Sequence, residues 1–422
     1  MTGYRQLARN RDFRVLWVGE TVSELGTRMS LFVFPLLAFH LTGSALLAAL
    51  AEGVHLFGLA AALLPAGLLA DRVDRRRLMR TASAGGVLLY ASLVVAALTG
   101  TLTMPHLLAV ALLSGSVAGL FAPAEMSAIR SVVTSEELPT ALSQNQARQH
   151  VASLVGGPLG GALYSLARWL PFVVDAVTYA VSWFMLGRIR ADLSAPEHLG
   201  PRQSGPEQLR EGLSFIWRSP FLRVLLVWSA LANLMGNALF FAAVLRLIQA
   251  GFPPVQIGLV ETAAGTFGIL GALAAPAIID RFATGRLTVV IAWSLTPLVV
   301  PMMFFNNPAV VAAALGLGLF LNPAGNAGIQ SYRVAVTPDG LQGRIQSTSQ
   351  FVSMSVMPLA PVLAGALLAG IGGERAVAVL GVLTMAVALI PTASAAVRAV
   401  PKPSVWRETV PAAEPIPDRP RA

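Results

Sequence analysis

The sequence contains no cysteine. That excludes disulfides, thiolate metal sites and a cysteine nucleophile. Histidine is sparse: His40, His55, His106, His150 and His198 are scattered and form no zinc-type spacing. There is no Gly-x-Ser-x-Gly elbow and no glycine-rich phosphate loop ending in lysine, so neither serine hydrolysis nor ATP-driven transport has support. A membrane enzyme would need carboxylates or histidines clustered at an interface with other catalytic groups, and no such cluster is evident. Lys402 is the single lysine. Charged residues make up only 12% of the chain, about half the roughly 25% of an ordinary soluble protein.

What is abundant is apolar. Hydrophobic residues reach 55%, in long runs separated by short charged clusters. A helix needs about 20 apolar residues to cross a hydrocarbon core of roughly 30 Å. In lipid only helices and closed barrels satisfy the backbone, and these runs are too long for barrel strands. Twelve spans are expected, at 13–40, 44–70, 77–99, 103–124, 140–166, 170–188, 221–246, 255–280, 286–305, 308–331, 343–370 and 375–397. The first is read as a span and not a signal peptide, because it is long, carries Glu20, Glu24 and Arg28, and is followed by many more.

Arginine placement predicts the orientation. The segments on the N-terminal side of the membrane hold Arg5, Arg9, Arg11 and Arg14, then Arg72, Arg75, Arg76, Arg77 and Arg80, and continue through Arg190, Arg210, Arg281, Arg344 and Lys402. The loops on the other side hold only Arg168, Arg246 and Arg375. The positive-inside rule then puts both termini in the cytoplasm, and the expected location is the cell (inner or plasma) membrane. It also accounts for the net charge of +9 without nucleic acid.

The two halves repeat each other. Gly119-Leu120-Phe121 followed by Pro123-Ala124 recurs as Gly318-Leu319-Phe320 followed by Pro323-Ala324, and Val133-Thr134 recurs as Val336-Thr337. Asp71-Arg72 recurs as Asp280-Arg281, Glu52 as Glu261, and Pro158 falls opposite Pro361. The domain reading is a six-helix bundle at 1–190, a cytoplasmic linker at 191–220, a second six-helix bundle at 221–399 and a disordered Pro-rich tail at 400–422.

Two parallel six-span halves are the architecture of major facilitator superfamily transporters. The stretch Gly67-Leu68-Leu69-Ala70-Asp71-Arg72-Val73-Asp74-Arg75-Arg76-Arg77 resembles the superfamily's signature loop after span 2, with Asp74 where a second glycine is usual. Three short stretches resemble the bacterial enterobactin- and macrolide-type exporter branch: Thr21–Gly26, Pro171–Ala176 and Glu211–Phe215. The resemblance implies an all-α membrane protein of twelve transmembrane helices in two pseudo-symmetric six-helix bundles. It also implies a cytoplasmic gate at Gly67, Asp71, Arg72, Arg75 and Arg76, with Asp71 meeting the start of span 11 near Gly343 and Arg344. Asp280 and Arg281 would form a weaker second copy. The alternative is that these charges only enforce topology. Gly156-Gly157-Pro158-Leu159-Gly160-Gly161 resembles the antiporter element of span 5. There Gly157, Gly160 and Gly161 permit close packing, and Pro158 frees a carbonyl and bends the helix. The superfamily's span-4 arginine would fall near Ser114 or Gly115, and none is there.

Other polar residues are candidates for substrate or proton binding. Glu20, Glu24 and Arg28 share one helix face of span 1. At 1.5 Å per residue Glu24 falls near the midplane. It can carry a proton, counter a cationic substrate, or simply pair with Arg28. Asn233 and Asn237, four apart in span 7, can bond a substrate or another helix. Arg148 can bind an anion or pair with Glu20 or Glu24. Glu52 and Glu261 are expected near the outer interface as solvated carboxylates, with an outer-gate role as the alternative. His55 is a structural residue or a proton relay, and Asp175, in a peripheral span, is expected to bond helix ends. Trp17, Phe32, Phe34, Trp228, Phe240, Phe241 and Phe320 offer an apolar cavity wall.

The function expected is proton-coupled efflux of a small amphipathic organic molecule (a drug, siderophore or secondary metabolite) by alternating access, in a monomer, with no cofactor and no metal. Import or facilitated diffusion is the alternative within transport. A transporter-like sensor or scaffold is the alternative outside it.

Overall fold

A computed structural model describes residues 7–194 and 205–406, apart from the side chains at 64–65, 67–72, 205–209 and 339–340. Every regular element among these residues is helical. The first six spans are Arg11–Thr42, Ala45–Arg72, Arg75–Leu98, Met104–Val132, Leu138–Leu166 and Leu170–Gly187. The second six are Pro220–Gln249, Pro254–Arg281, Thr284–Phe304, Pro308–Ala335, Leu341–Ile371 and Gly373–Ala393.

Eleven of these are long and apolar enough to cross a membrane. The twelfth, span 5, has Gln144, Asn145, Gln146, Arg148, Gln149 and His150 in its first half. Span 4 runs eight residues beyond the expected 124, because Pro123 is accommodated inside the helix and the charged turn around Glu125 and Arg130 continues it. Three spans of the second half are broken, each beside proline, which cannot donate to the preceding turn. Span 9 passes through a 3-10 turn at Thr296–Leu298 containing Pro297. Span 10 is interrupted between Leu319 and Asn322, before Pro323. Span 11 is interrupted between Val356 and Leu359, at Pro358.

The linker expected at 191–220 contains a further helix, Gly205–Arg218. It packs on span 11, where Glu211 pairs with Arg344 and Ile216 is buried with Leu222, Leu226 and Ile345. The tail expected to be disordered from 400 is ordered at its start. The carbonyls of Val400 and Pro401 accept from Gly285 N and Thr284 N at 3.1 and 3.3 Å. They thereby satisfy two of the free N–H groups that begin span 9. Trp406 meets Tyr332 edge-on at 5.4 Å. The remainder of the expected tail, 407–422, and part of the linker, 195–204, lie outside the described residues.

Within the first six spans, spans 2 and 4 approach until a β-carbon on Gly115 would strike the carbonyl of His55, and one on Gly58 the carbonyl of Leu112. Of the two positions where the resemblance would place a span-4 arginine, Gly115 faces backbone and Ser114 faces His55. Phe34, Tyr90, Phe172 and Tyr179 stack through the interior at centroid distances of 5.8–6.2 Å.

The first six spans meet the second six along two seams, span 5 on span 8 and span 2 on span 11. Both seams lie toward the end remote from the termini. Gly157 faces Gly258, and Gly161 faces Pro254, so closely that a β-carbon could not be added without moving backbone. On the other seam Gly53 approaches the Pro358 carbonyl and Gly365 approaches Ala49.

Candidate functional site

Span 5 shows how sequence makes a seam. Proline at 158 has no N–H to give the carbonyl of Leu154, one turn back. Thr262 of span 8 supplies the missing donor: its hydroxyl reaches Leu154 O at 2.5 Å. The glycines around Pro158 serve two faces. Gly156 and Gly160 lie against Arg28 and Met29 of span 1, and Gly157 and Gly161 lie against span 8. A β-carbon on Gly157 would stand 2.9 Å from Glu261 Oε2.

Beside this seam lies a cavity of about 150 Å³ bounded by both sets of spans; its wall includes Arg28, Glu52, Glu261, Phe32, Phe240 and Phe241. Arg28 Nε donates to Glu24 Oε1 at 2.8 Å, and both side chains are partly exposed. Two carboxylates and a guanidinium that is already shared with Glu24 therefore face one small, largely apolar space. This corrects the expectation for Glu52 and Glu261. They are not solvated interfacial carboxylates; both are half-buried and line the same cavity. Depth along each helix was readable from residue counts, but the face each glutamate presents was not. Their identical offset in the repeat was the available signal that they meet.

The third candidate of span 1, Glu20, turns inward to the first bundle. Glu20 is buried and accepts from Ser182 Oγ of span 6 at 2.9 Å. It thus leaves the shared face of Glu24 and Arg28. Arg148 pairs with neither Glu20 nor Glu24; its Nη2 donates to Glu125 Oε1 of span 4 at 2.6 Å, with both side chains buried. Glu125 was missed because it follows Pro123, where the apolar run ends. Asp175 does not bond helix ends. It is fully buried, facing span 1 at Gly26, and accepts from Thr178 Oγ1 at 3.2 Å. His55 is buried with Nδ1 3.2 Å from Ser114 Oγ.

Of the residues expected at the gate, the side chains of Gly67, Asp71 and Arg72 lie outside the described ones. Asp74 accepts from Arg77 N at 2.9 Å and so caps span 3. Arg75 Nη1 donates to Ser131 Oγ at 3.1 Å, and Arg76 Nη2 donates to Ala191 O at 2.6 Å. Both arginines hold the first bundle and the segment leaving span 6. Asp280 and Arg281 are exposed at the end of span 8.

Asn233 and Asn237 face a second, larger cavity of about 360 Å³, bounded by spans 7, 9, 10 and 12. Asn237 Nδ2 donates to the Asn233 carbonyl at 2.8 Å. Asn322 and Asn326 of span 10 line the same space. The sequence reading missed them, although the Asn-Pro pair at the span-10 break was a signal.

Twelve spans in two sets of six, two glycine-rich seams closed at one end and cavities between and within the sets are the architecture of a membrane transporter. The chain belongs to the Major Facilitator Superfamily, whose family model matches residues 16–361. It is a transporter and not an enzyme. It is 26% identical over 357 residues, 81% of this chain and 85% of the other, to the multidrug efflux pump Tap of Mycolicibacterium fortuitum. Its fold matches that of the nucleoside transporter NupG with a TM-score of 0.70 at 12% identity, covering 91% of this chain and 98% of that one. It also matches a bacterial homologue of the iron transporter ferroportin in an inward-facing state, with a TM-score of 0.68 at 16% identity, covering 91% and 98%.

Proposed function

We propose that this chain is a proton-coupled exporter of small amphipathic organic molecules, acting as a monomer in the cell membrane with both termini in the cytoplasm. The observation that carries the reading is the cavity shared by Arg28, Glu52 and Glu261 beside the seam. With the termini inside, the closed seams are on the outer side, and the conformation is inward-facing. Closing the seam brings the carboxylates of spans 2 and 8 together near one arginine that Glu24 also engages. Like charges drawn into a low-dielectric space repel, and a proton on either carboxylate relieves the repulsion. Protonation from outside thus favours closure, and loss of the proton to the cytoplasm favours reopening. That cycle exchanges protons inward for substrate outward.

The relationship to a multidrug efflux pump supports export, and the aromatic walls suit amphipathic cargo. The two six-span sets move as domains about the 191–220 connection. Asp71 and the start of span 11 form the cytoplasmic gate that closes when the seams open. Proteoliposomes with an imposed pH gradient test the coupling. Efflux should follow the gradient in the wild type and become insensitive to it in Glu52→Gln or Glu261→Gln. Movement that ignores the gradient in the wild type, and is unchanged in these variants and in Glu24→Gln, would sink the proposal.

A further inference from the structure

The larger cavity differs from the seam cavity in one respect that fixes what it can hold. Among the described residues, no charged one lines it. Its polar wall is made of amides and hydroxyls, chiefly Asn233, Asn237, Asn322, Asn326 and Ser294. Three further observations bear on an occupant. Trp228 lines the cavity and is only 7% exposed, yet its indole Nε1 has no hydrogen-bond partner. An indole N–H can only donate, so what it lacks is an acceptor. The side-chain amides of Asn322 and Asn326 have no partner among the described residues, and Asn237 has already committed its Nδ2 to the backbone, leaving its Oδ1. Finally, the cavity sits where spans 9 and 10 are both broken: Ser294 and Leu295 precede the 3-10 turn, and Leu319 and Asn322 flank the interruption at Pro323. Broken helices at membrane depth are tolerated where the irregular backbone lines a cavity, and in transporters such breaks mark binding sites. The corresponding spans 3 and 4 of the first half are continuous helices, Arg75–Leu98 and Met104–Val132.

We propose that this cavity, wholly within the second half, is a binding site for an uncharged organic molecule with at least one hydrogen-bond acceptor (a carbonyl, ether, nitro or hydroxyl oxygen) placed on Trp228 Nε1. Asn322 and Asn326 bond its other polar groups, and Phe240 and Leu295 cover its apolar body. An ion is disfavoured there, because desolvating a charge against neutral amides and aliphatic side chains is expensive. The two cavities thus divide the tasks: charge is handled at the seam by Glu24, Arg28, Glu52 and Glu261, and neutral cargo is held in the second half. The inference deepens the transport reading and rests on it for the identification of the occupant as cargo.

Equilibrium dialysis of radiolabelled chloramphenicol, which is uncharged and carries nitro, amide and hydroxyl oxygens, against the purified full chain in lipid nanodiscs tests the site without any gradient. Saturable binding is expected, about tenfold weaker in Trp228→Phe, which removes the donor and keeps the ring, and comparably weaker in Asn326→Ala. The permanent cation ethidium should not compete. Absence of saturable chloramphenicol binding, or binding unchanged in Trp228→Phe, or displacement by ethidium, overturns the assignment. Should Trp228→Phe fold poorly, Asn322→Ala and Asn326→Ala on the cavity wall decide the matter alone, and unchanged binding in both overturns it. A chain that binds chloramphenicol through these residues but moves nothing down a pH gradient keeps the site and refutes the coupling.

Discussion

The hydrogen bond from Thr262 to the carbonyl that Pro158 leaves unpaired spans the two sets of helices, so it can hold only in the conformation with this seam closed. Thr262→Val removes the hydroxyl and keeps the shape. Interhelical hydrogen bonds inside membranes are worth about 0.6 kcal/mol on average and up to about 1.7. The equilibrium should therefore move roughly three- to sixteenfold toward the seam-open conformation. The absence of native cysteine makes the assay clean. Cysteines introduced at Thr101 and Gln249, exposed on opposite halves at the end remote from the termini, would carry the only spin labels, and the distance distribution would report the two populations. The short-distance population should fall in Thr262→Val. A second variant checks the cause. Pro158→Ala restores an N–H that can pair with Leu154 O within span 5, so Thr262 becomes dispensable and the effect of Thr262→Val should shrink in that background. A distribution unchanged by Thr262→Val, or an equal shift with and without Pro158→Ala, would refute the reasoning.

Three other expectations follow from the packing. Arg148→Met strands the Glu125 carboxylate in the first bundle and should cost about 3–5 kcal/mol, seen as a lower melting temperature; adding Glu125→Gln should recover much of it, and a neutral single variant would mean that the pair is solvated. Gly115→Ala drives a methyl into the His55 carbonyl and should destabilise by about 1–3 kcal/mol; an unaltered thermal unfolding curve would show that spans 2 and 4 can separate freely. By contrast Glu211→Gln breaks an ion pair that is 31% and 43% exposed, so it should change stability by less than about 1 kcal/mol; a larger drop in melting temperature would show that the pair is not screened.

The face each residue presents was the recurrent gap between sequence and structure. Helical spacing correctly joined Glu24 to Arg28, because residues four apart on a helix are neighbours whatever surrounds them. The same spacing put Glu20 on that face, yet it turns to Ser182 on span 6. For Arg148 the sequence offered an anion, Glu20 or Glu24, and its partner is Glu125, because partners on other helices cannot be read from one helix alone. Asp175 was placed at the periphery by topology and lies buried against Gly26. The repeat, by contrast, held information beyond its own argument: two glutamates at one offset occupy one cavity because the two sets face each other about a common axis.

Composition and hydrophobic run length decided the spans, since a bilayer admits little but apolar helices of about 20 residues. The internal repeat decided that there are two related sixes. Which end is closed, which carboxylates share a cavity and where an uncharged cavity opens were decided only by the tertiary structure. Seams and cavities are made between helices, from glycines that allow approach and prolines that free a carbonyl, and their meaning depends on what the neighbouring helix brings to the gap. The chain that lacks cysteine and nearly all lysine thus keeps most of its charges outside the spans or near their ends, and among the described charges only Arg28, Glu52 and Glu261 line the cavity between the two sets.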